Sequence, residues 1–168
     1  MKDRYTRNER RRSSPSIPAT ETRGRMRRAQ SWRGIRVYTI GHSTRSIDEL
    51  VALLRAFGVS LLADIRTIPR SRHNPQFNGD ALPSSLRRRG IRYVHLPRLG
   101  GLRRASKASL NTGWRNASFR GFADYMMTEE FEAGLLELRA LGKKATVALM
   151  CAEAVPWRLS LIHISEPT

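Results

Sequence analysis

The sequence predicts an α/β protein with a mainly parallel, open sheet and helices on both faces of that sheet. Segments with the composition of strands alternate along the chain with segments of helical periodicity, an order typical of strand–helix–strand units. The strand segments are almost continuously apolar, as expected of parallel strands that helices cover on both faces. These two observations together predict three layers, with the sheet between two layers of helices.

The first strand–helix unit begins near residue 35. Residues 35–43, IRVYTIGHS, are rich in β-branched and aromatic side chains and predict a buried strand that ends at Gly41. Ser46 is a suitable N-cap for the next helix, and Glu49 three residues later completes a capping box. Gly58 is expected to end this helix. Its apolar residues recur at spacings of three and four and predict one buried face: Ile47, Leu50, Val51, Leu54 and Phe57.

Three more strands and two or three more helices are predicted after this unit. A short helix with Pro83 in its first turn ends at Gly90, and residues 122–143 predict one or two helices with a break at Thr128. The strand segments are VSLLADIRTIP at residues 59–69, IRYVHLP at 91–97 and KATVALMCAE at 144–153.

The chain carries a large excess of positive charge, with 31 lysines and arginines against 14 aspartates and glutamates. About half of this excess lies in residues 1–34, which are rich in Arg, Ser and Pro and have no helical or strand period. We predict that this segment is disordered. It is consistent with an arm that contacts nucleic acid, a transit peptide, or an upstream extension of the reading frame. The overall charge favours a polyanionic partner such as nucleic acid or a phosphorylated small molecule.

Several classes of protein are excluded by what the sequence lacks. The single cysteine, Cys151, excludes an internal disulfide and a zinc site built from several cysteines. No apolar run approaches the roughly 20 residues that cross a bilayer, and there is no P-loop, GxGxxG, GxSxG or HExxH motif. We therefore expect a cytoplasmic protein with no membrane partner and no metal site, and the sequence assigns no cofactor.

The candidate site lies at the carboxyl edge of the predicted sheet, where open parallel sheets bind ligands. Polar side chains follow every predicted strand, and they converge on one edge if all the strands are parallel. The groups are His42 after the first strand, Asp64, Arg66, Arg70, Arg72 and Asn74 after the second, His95 at the end of the third, and Cys151 and Glu153 at the end of the fourth.

Arginine side chains in this set suit an anionic ligand, because the guanidinium fork binds phosphate and carboxylate groups. Arg66, Arg70 and Arg72 are therefore predicted to bind substrate, together with Asn74 and His95. The alternative is that Asp64 forms a structural salt bridge with one of these arginines and that the others are solvated.

Three groups of the candidate site are predicted to take part in proton transfer or to support it. Glu153 follows a buried strand among basic residues and is the preferred general acid or base, with His42 or Asp64 as its partner. The alternative for His42 is a simple turn. Cys151 would react only if nearby arginines lowered the pKa of its thiol, since a lone cysteine at a strand end is most often a core residue.

Residues 111–121, NTGWRNASFRG, mix aromatic and basic side chains. Trp114 and Arg115 are predicted to contact substrate, because such a mixture stacks bases and binds phosphates. The alternative is a lid that packs back on the domain. This segment and RRR at residues 87–89 would also serve a nucleic-acid-binding protein.

Five segments of the chain, in order, resemble the DUF488 family of bacterial and archaeal proteins. The resemblance covers residues 36–158 and implies a compact α/β domain, but it supplies no reaction. The family pattern has a Cys-x-Glu element, matched here by Cys151 and Glu153, and then Cys-His-Arg, where this chain has Leu159 and Ser160. The segments are YTIGHSTRS, LLADIRTIPRSRHNPQFN, GIRYVHLPRLGG, NTGWRNASFRGFADYM and VALMCAEAVPWR.

The end of the chain departs from this resemblance, because family members continue with another helix and usually a further strand. We therefore expect a domain at residues 35–158 that lacks its last helix and strand. Residues 159–168, LSLIHISEPT, resemble the translation of a sequencing adapter, and a divergent tail is the alternative.

Three interpretations of the function remain open from the sequence. The first is an enzyme that acts on an anionic, phosphate- or nucleotide-containing substrate. The second is a non-catalytic nucleic-acid-binding module that uses the N-terminal arm and the basic aromatic loop. A scaffold domain without chemistry is the third reading.

Overall fold

The computed structural model describes residues 31–153, which form a four-stranded parallel sheet and four α-helices. Short 3₁₀ turns at Pro75–Phe77 and Pro97–Leu99 follow the second and third strands. The regular elements, in chain order, are β1 (Val37–Gly41), α1 (Ile47–Ala56), β2 (Leu61–Asp64), α2 (Leu82–Arg87), β3 (Arg92–His95), α3 (Ala117–Tyr125), α4 (Glu129–Gly142) and β4 (Val147–Cys151).

The strands lie in the order β1-β4-β2-β3, and every neighbouring pair is parallel. Asp64 at the end of β2 lies beside His95 of β3 and Met150 of β4. Gly41 at the end of β1 lies beside Cys151. The carboxyl ends of all four strands therefore meet at one edge of the sheet, and the prediction of a mainly parallel open sheet is confirmed.

Helices cover both faces of the sheet, so the predicted three-layer arrangement is also confirmed. Successive strand residues point to opposite faces, and two separate hydrophobic cores result. The core on the side of α1 and α2 includes Leu50, Leu54, Leu62, Leu82, Leu86, Ala148 and Met150. The core on the side of α3 and α4 includes Leu61, Ala63, Phe122, Phe131, Leu138, Val147 and Leu149.

Local signals at the helix ends act as the sequence predicts. The Ser46 hydroxyl accepts a hydrogen bond from the Glu49 backbone N–H, and the Glu49 carboxylate accepts one from the Ser46 N–H. Gly58 follows α1 with a φ of 64°, a conformation that glycine adopts without strain. Thr128 caps α4 and separates it from α3. Phe57 differs from its predicted burial, because it lies at the C-cap of α1 and is 59% exposed.

The second strand ends earlier than predicted, at Asp64 rather than near Pro69. The Asp64 side chain accepts a hydrogen bond from the backbone N–H of Arg66, which turns the chain away from the sheet. This local bond places the following arginines in a loop over the edge of the sheet.

Some predictions fall outside the described residues. These are the extension at residues 1–30, the end of the domain after Glu153, and the tail at residues 159–168. Within residues 31–153, no helix is both long enough and apolar enough to cross a membrane.

Candidate functional site

A buried ion pair lies beneath the carboxyl edge of the sheet. Asp64 is fully buried at the end of β2, a central strand. The Arg66 guanidinium donates to both carboxylate oxygens of Asp64, from Nε to Oδ1 at 2.8 Å and from Nη2 to Oδ2 at 2.6 Å. The Tyr93 hydroxyl donates to Oδ2 at 3.0 Å, and the Arg66 backbone N–H donates to Oδ1 at 3.1 Å. The carboxylate is thus fully hydrogen-bonded, which a buried charge requires.

The Arg66 guanidinium forms its hydrogen bonds with other groups of the protein. Besides its two bonds to Asp64, Nη2 donates to the Phe77 carbonyl at 2.6 Å and Nη1 contacts the Nε2 atom of His42 at 3.2 Å. A guanidinium has five N–H donors, so among the described residues four of them are engaged. The Arg66 side chain is only 7% exposed. The fork predicted to hold an anionic ligand therefore holds Asp64, and at most one N–H remains for a ligand.

His42 supports Arg66 from the end of β1. Its Nδ1 atom lies 2.8 Å from the Ser43 carbonyl oxygen, which can only accept, so Nδ1 carries the proton and Nε2 accepts from Arg66. The ring stacks on Phe77, with centroids 4.4 Å apart. Burial lowers the pKa of His42, and the nearby Arg66 cation lowers it further. His42 is therefore neutral at pH 7, and both of its ring nitrogens are occupied in this arrangement.

The turn after β1 is held against the end of β4. The backbone N–H of His42 donates to the Cys151 carbonyl at 3.0 Å, and that of Ser43 donates to the Ala152 carbonyl at 3.2 Å. Ser43 has a φ of 49°, a left-handed conformation that is uncommon for residues other than glycine. These bonds fix the turn at the carboxyl edge of the sheet.

A cleft of about 1030 Å³ opens above this ion pair at the carboxyl edge. It lies between the ends of β1, β2 and β4, the loop after β3 and the first turn of α3. The predicted site residues that line it are His42, Arg66, Arg70, Asn74, Cys151 and Glu153. Residues that line it without having been predicted include Ser43, Thr44, Ile68, Leu102, Asn116 and Phe119.

The other predicted site residues do not line the cleft. Asp64 lies beneath Arg66, and the His95 Nε2 atom donates to the Arg66 carbonyl at 2.7 Å, so His95 supports the same turn from β3. Arg72 is exposed on the loop after β2. Trp114 packs on the Phe119 ring, with centroids 5.9 Å apart, and Arg115 beside it is exposed.

Cys151 and Glu153 reach the cleft from the end of β4 and have different environments. The Cys151 thiol is partly buried, and burial raises its pKa to about 11. The thiol is therefore protonated at neutral pH, and the condition for its predicted reactivity is not met. Glu153 is exposed within the cleft, and its backbone N–H donates to the Cys151 sulfur at 3.3 Å.

Free positive charge in the cleft comes from Arg70 rather than from Arg66. Arg70 is exposed and forms no ion pair with any residue between 31 and 153. The first turn of α3, which also lines the cleft, is capped by Asn116, whose Oδ1 accepts from the backbone N–H groups of Ser118 at 2.8 Å and Phe119 at 3.3 Å. Arg70 is therefore the exposed cation among the described residues that line the cleft.

One wall of the cleft is formed in part by the two ends of an irregular segment, residues 101–116, which we call the strap. The Asp124 carboxylate of α3 accepts three hydrogen bonds from it: from the Ser106 N–H at 3.0 Å, the Ser109 hydroxyl at 2.6 Å and the Asn111 side chain at 2.8 Å. These bonds lower the pKa of Asp124. Three hydrogen bonds between the strap and α3 therefore end on one carboxylate.

Two further contacts hold the strap against α3. A Cβ atom at Gly121 would lie 2.6 Å from the Ala105 nitrogen, so only glycine allows the strap to pass this closely. The Arg103 guanidinium lies 3.9 Å from the centre of the Tyr125 ring and donates to the Pro97 carbonyl at 3.0 Å. These contacts dock the strap on α3 and on the turn after β3.

Sequence reasoning missed Tyr93, Phe77 and Asp124, which organise the site without carrying an obvious motif. Tyr93 had a detectable signal, since it lies two residues before the end of a predicted strand and so shares a face with His95. Asp124 had none, because its partners lie 13 to 18 residues away in an irregular segment. Among residues 31–153, no group of three or more His, Cys, Asp or Glu side chains is arranged to hold a metal ion.

The fold and the cleft define an open-sheet α/β protein with a ligand-sized cleft at the carboxyl edge of the sheet. The chain matches the family model described as domain of unknown function DUF488 over residues 46–166, and it belongs to this family. The match includes everything from the N-cap of α1 to the end of β4, and its last 13 residues lie outside the described region. No curated protein and no solved structure matches the chain.

Proposed function

We propose that the cleft is the active site of an enzyme that acts on an anionic substrate containing phosphate or a nucleotide. The observation that best supports this is the meeting in one cleft of Arg70, which has no ion-pair partner between residues 31 and 153, and the exposed carboxylate of Glu153, above a buried ion pair. A cleft of about 1030 Å³ is large enough for a nucleotide-sized ligand.

The proposed roles follow from the charged and hydrogen-bonding groups that each side chain presents to the cleft. Arg70 binds the anion, because its guanidinium fork matches phosphate oxygens. Asn74 and the hydroxyl groups of Ser43 and Thr44 supply neutral hydrogen bonds from the same walls. Glu153 acts as the general acid or base, which donates a proton to the substrate or accepts one from it. It is the cleft carboxylate that is not held in an ion pair among the described residues.

Arg66, His42 and Asp64 are positioning residues in this proposal. The ion pair holds the Arg66 guanidinium in place, and the contact with His42 fixes its orientation. Such groups cost little reorganisation when a substrate binds, which is the condition for effective electrostatic stabilisation. The protonated Cys151 thiol lines the cleft and is not a nucleophile in this scheme.

The proposal is tested with the full chain, using AMP and inorganic phosphate as binding probes and ³¹P NMR of a nucleotide panel as the assay of turnover. We expect Arg70→Ala to weaken AMP binding at least tenfold, about the value of one charge-assisted hydrogen bond. The matched control, Arg87→Ala, changes an exposed arginine on α2 and should bind AMP normally.

Glu153→Gln should keep AMP binding and abolish turnover of any panel member that the unaltered chain consumes, whereas Glu137→Gln on α4 should keep both. The proposal fails if R70A and R87A bind AMP equally well. The assignment of Glu153 fails if E153Q turns over as fast as E137Q.

A second candidate function is non-catalytic nucleic-acid binding, supported by the charge of the strap. The strap contains four basic residues and no acidic one. In this case an oligonucleotide would bind with a strong dependence on salt, and no nucleotide in the panel would be consumed.

A further inference from the structure

The strap has a surface of mixed charge and apolar character that the proposed function of the cleft does not use. Three of its cationic side chains are exposed: Arg104, Lys107 and Arg115. None of them has an ion-pair partner among residues 31–153. The strap itself offers no acidic residue to neutralise them.

Exposed apolar side chains belong to the same segment: Leu110 and Trp114 fall between Lys107 and Arg115 in the sequence, and Leu102 precedes Arg104. Leu102 is 73% exposed, Leu110 is 84% exposed, and the Trp114 ring is 38% exposed. Trp114 is paired with Phe119, and Phe119 lines the cleft. A segment that presents both cations and an aromatic ring suits a ligand that alternates phosphates with flat bases, because any base can stack on an aromatic side chain.

Both ends of the strap enter the cleft, so a ligand lying along the strap would reach the cleft. Gly101 and Leu102 line the cleft at one end of the strap, and Asn116 lines it at the other. The attachment to Asp124 and the close approach at Gly121 hold this wall in position before any ligand arrives. A prearranged wall loses less conformational freedom on binding.

We propose that the strap binds single-stranded nucleic acid and that the substrate in the cleft is a nucleotide carried by such a strand. This inference rests on the proposed function of the cleft and names its substrate class. A free phosphate or mononucleotide would need only the Arg70 side of the cleft. An acidic polypeptide would satisfy the cations but would leave Trp114 without a base.

The test measures binding of a fluorescein-labelled oligo(U) of about twelve nucleotides to the full chain by anisotropy at several salt concentrations. The strap variant is R104Q/K107Q/R115Q. The matched control is R36Q/K143Q/K144Q, which removes three exposed cations from the residue before β1 and from the connection between α4 and β4. These control positions lie at the amino edge of the sheet, opposite the cleft, and both variants keep residues 1–30.

Each phosphate contact of a single strand contributes about −0.7 to the slope of log K against log salt. We therefore expect this slope to become less negative by about 2 in the strap variant, which lacks three cations. The control variant should change this slope by much less. Trp114→Leu, checked for folding by circular dichroism, should weaken binding about tenfold through loss of stacking. Poly-glutamate of equal charge should compete poorly with the oligonucleotide.

Equal losses in the strap and control variants would overturn the inference, because they would show a response to net charge alone. Efficient competition by poly-glutamate would also overturn it. The strap variant and the control variant could instead bind oligo(U) equally well while AMP binding still depends on Arg70. In that case the proposed function of the cleft is retained, and the proposal of a single-stranded nucleic-acid substrate is wrong. If oligo(U) binding depends on the strap but R70A binds AMP as tightly as the unaltered chain does, the proposal that a nucleotide binds in the cleft is wrong.

Discussion

Replacing Arg66 by methionine tests the buried ion pair that forms the floor of the cleft. Methionine keeps much of the aliphatic volume but removes the four hydrogen bonds that the guanidinium donates. The fully buried Asp64 carboxylate then keeps only the Tyr93 hydroxyl and one backbone N–H as donors. Removing one partner of a buried ion pair costs about 3–5 kcal/mol, because the remaining charge is uncompensated. We expect R66M to lose about 4 kcal/mol of unfolding free energy.

Urea unfolding followed by far-ultraviolet circular dichroism measures this loss. With a slope of about 2 kcal/mol per M urea, the midpoint should fall by about 2 M. The double variant D64L/R66M removes both charges and should be more stable than R66M alone. A loss below about 1 kcal/mol in R66M would show that the ion pair contributes no more than an exposed salt bridge does. A double variant less stable than R66M would show that the Asp64 carboxylate is not left uncompensated in R66M.

Three further predictions follow from the same region. Burial holds the pKa of His42 below 6.5, so as the pH falls below 6.5 the unfolded chain gains a proton that the folded chain lacks. The free energy of unfolding in urea should therefore decline below pH 6.5. An equally steep decline in H42Q would contradict this role of His42. The Cys151 thiol, with a pKa of about 11, should react slowly with iodoacetamide at pH 7 and faster toward pH 11, and fast reaction at pH 7 would count against it. Gly121→Ala should cost about 1–3 kcal/mol and expose the strap to trypsin, whereas Gly113→Ala, with no atom within 4 Å of the added Cβ, should not.

Much of the fold could be predicted because its signals are local. The Ser46–Glu49 capping box and Gly58 involve residues within one helical turn or one helix end. The meeting of His42, Cys151 and other groups at one edge follows from parallel strands alone, since their carboxyl ends lie together. Sequence order therefore sufficed to locate the cleft.

The roles within the cleft could not be read in the same way, because they depend on which side chains pair in three dimensions. Tyr93 and Asp64 are 29 residues apart, and they meet only because β2 and β3 are neighbours in register. Arg66 lies below the surface because it is bonded to Asp64, whereas Arg70 is exposed in the cleft and Arg72 is exposed outside it. Three similar arginines in one loop thus acquire different environments that their spacing does not reveal.

A titration of the ¹⁵N-labelled full chain with AMP, followed by amide chemical shifts, shows directly whether the cleft binds an anionic ligand. The proposal that the cleft binds an anionic ligand predicts the largest shifts at Ser43, Arg70 and Glu153, around the carboxyl edge of the sheet. It predicts no comparable shifts at Arg87 or Arg92, at the amino edge. Shifts centred on the amino edge, or none at the carboxyl edge at saturating AMP, would contradict the account.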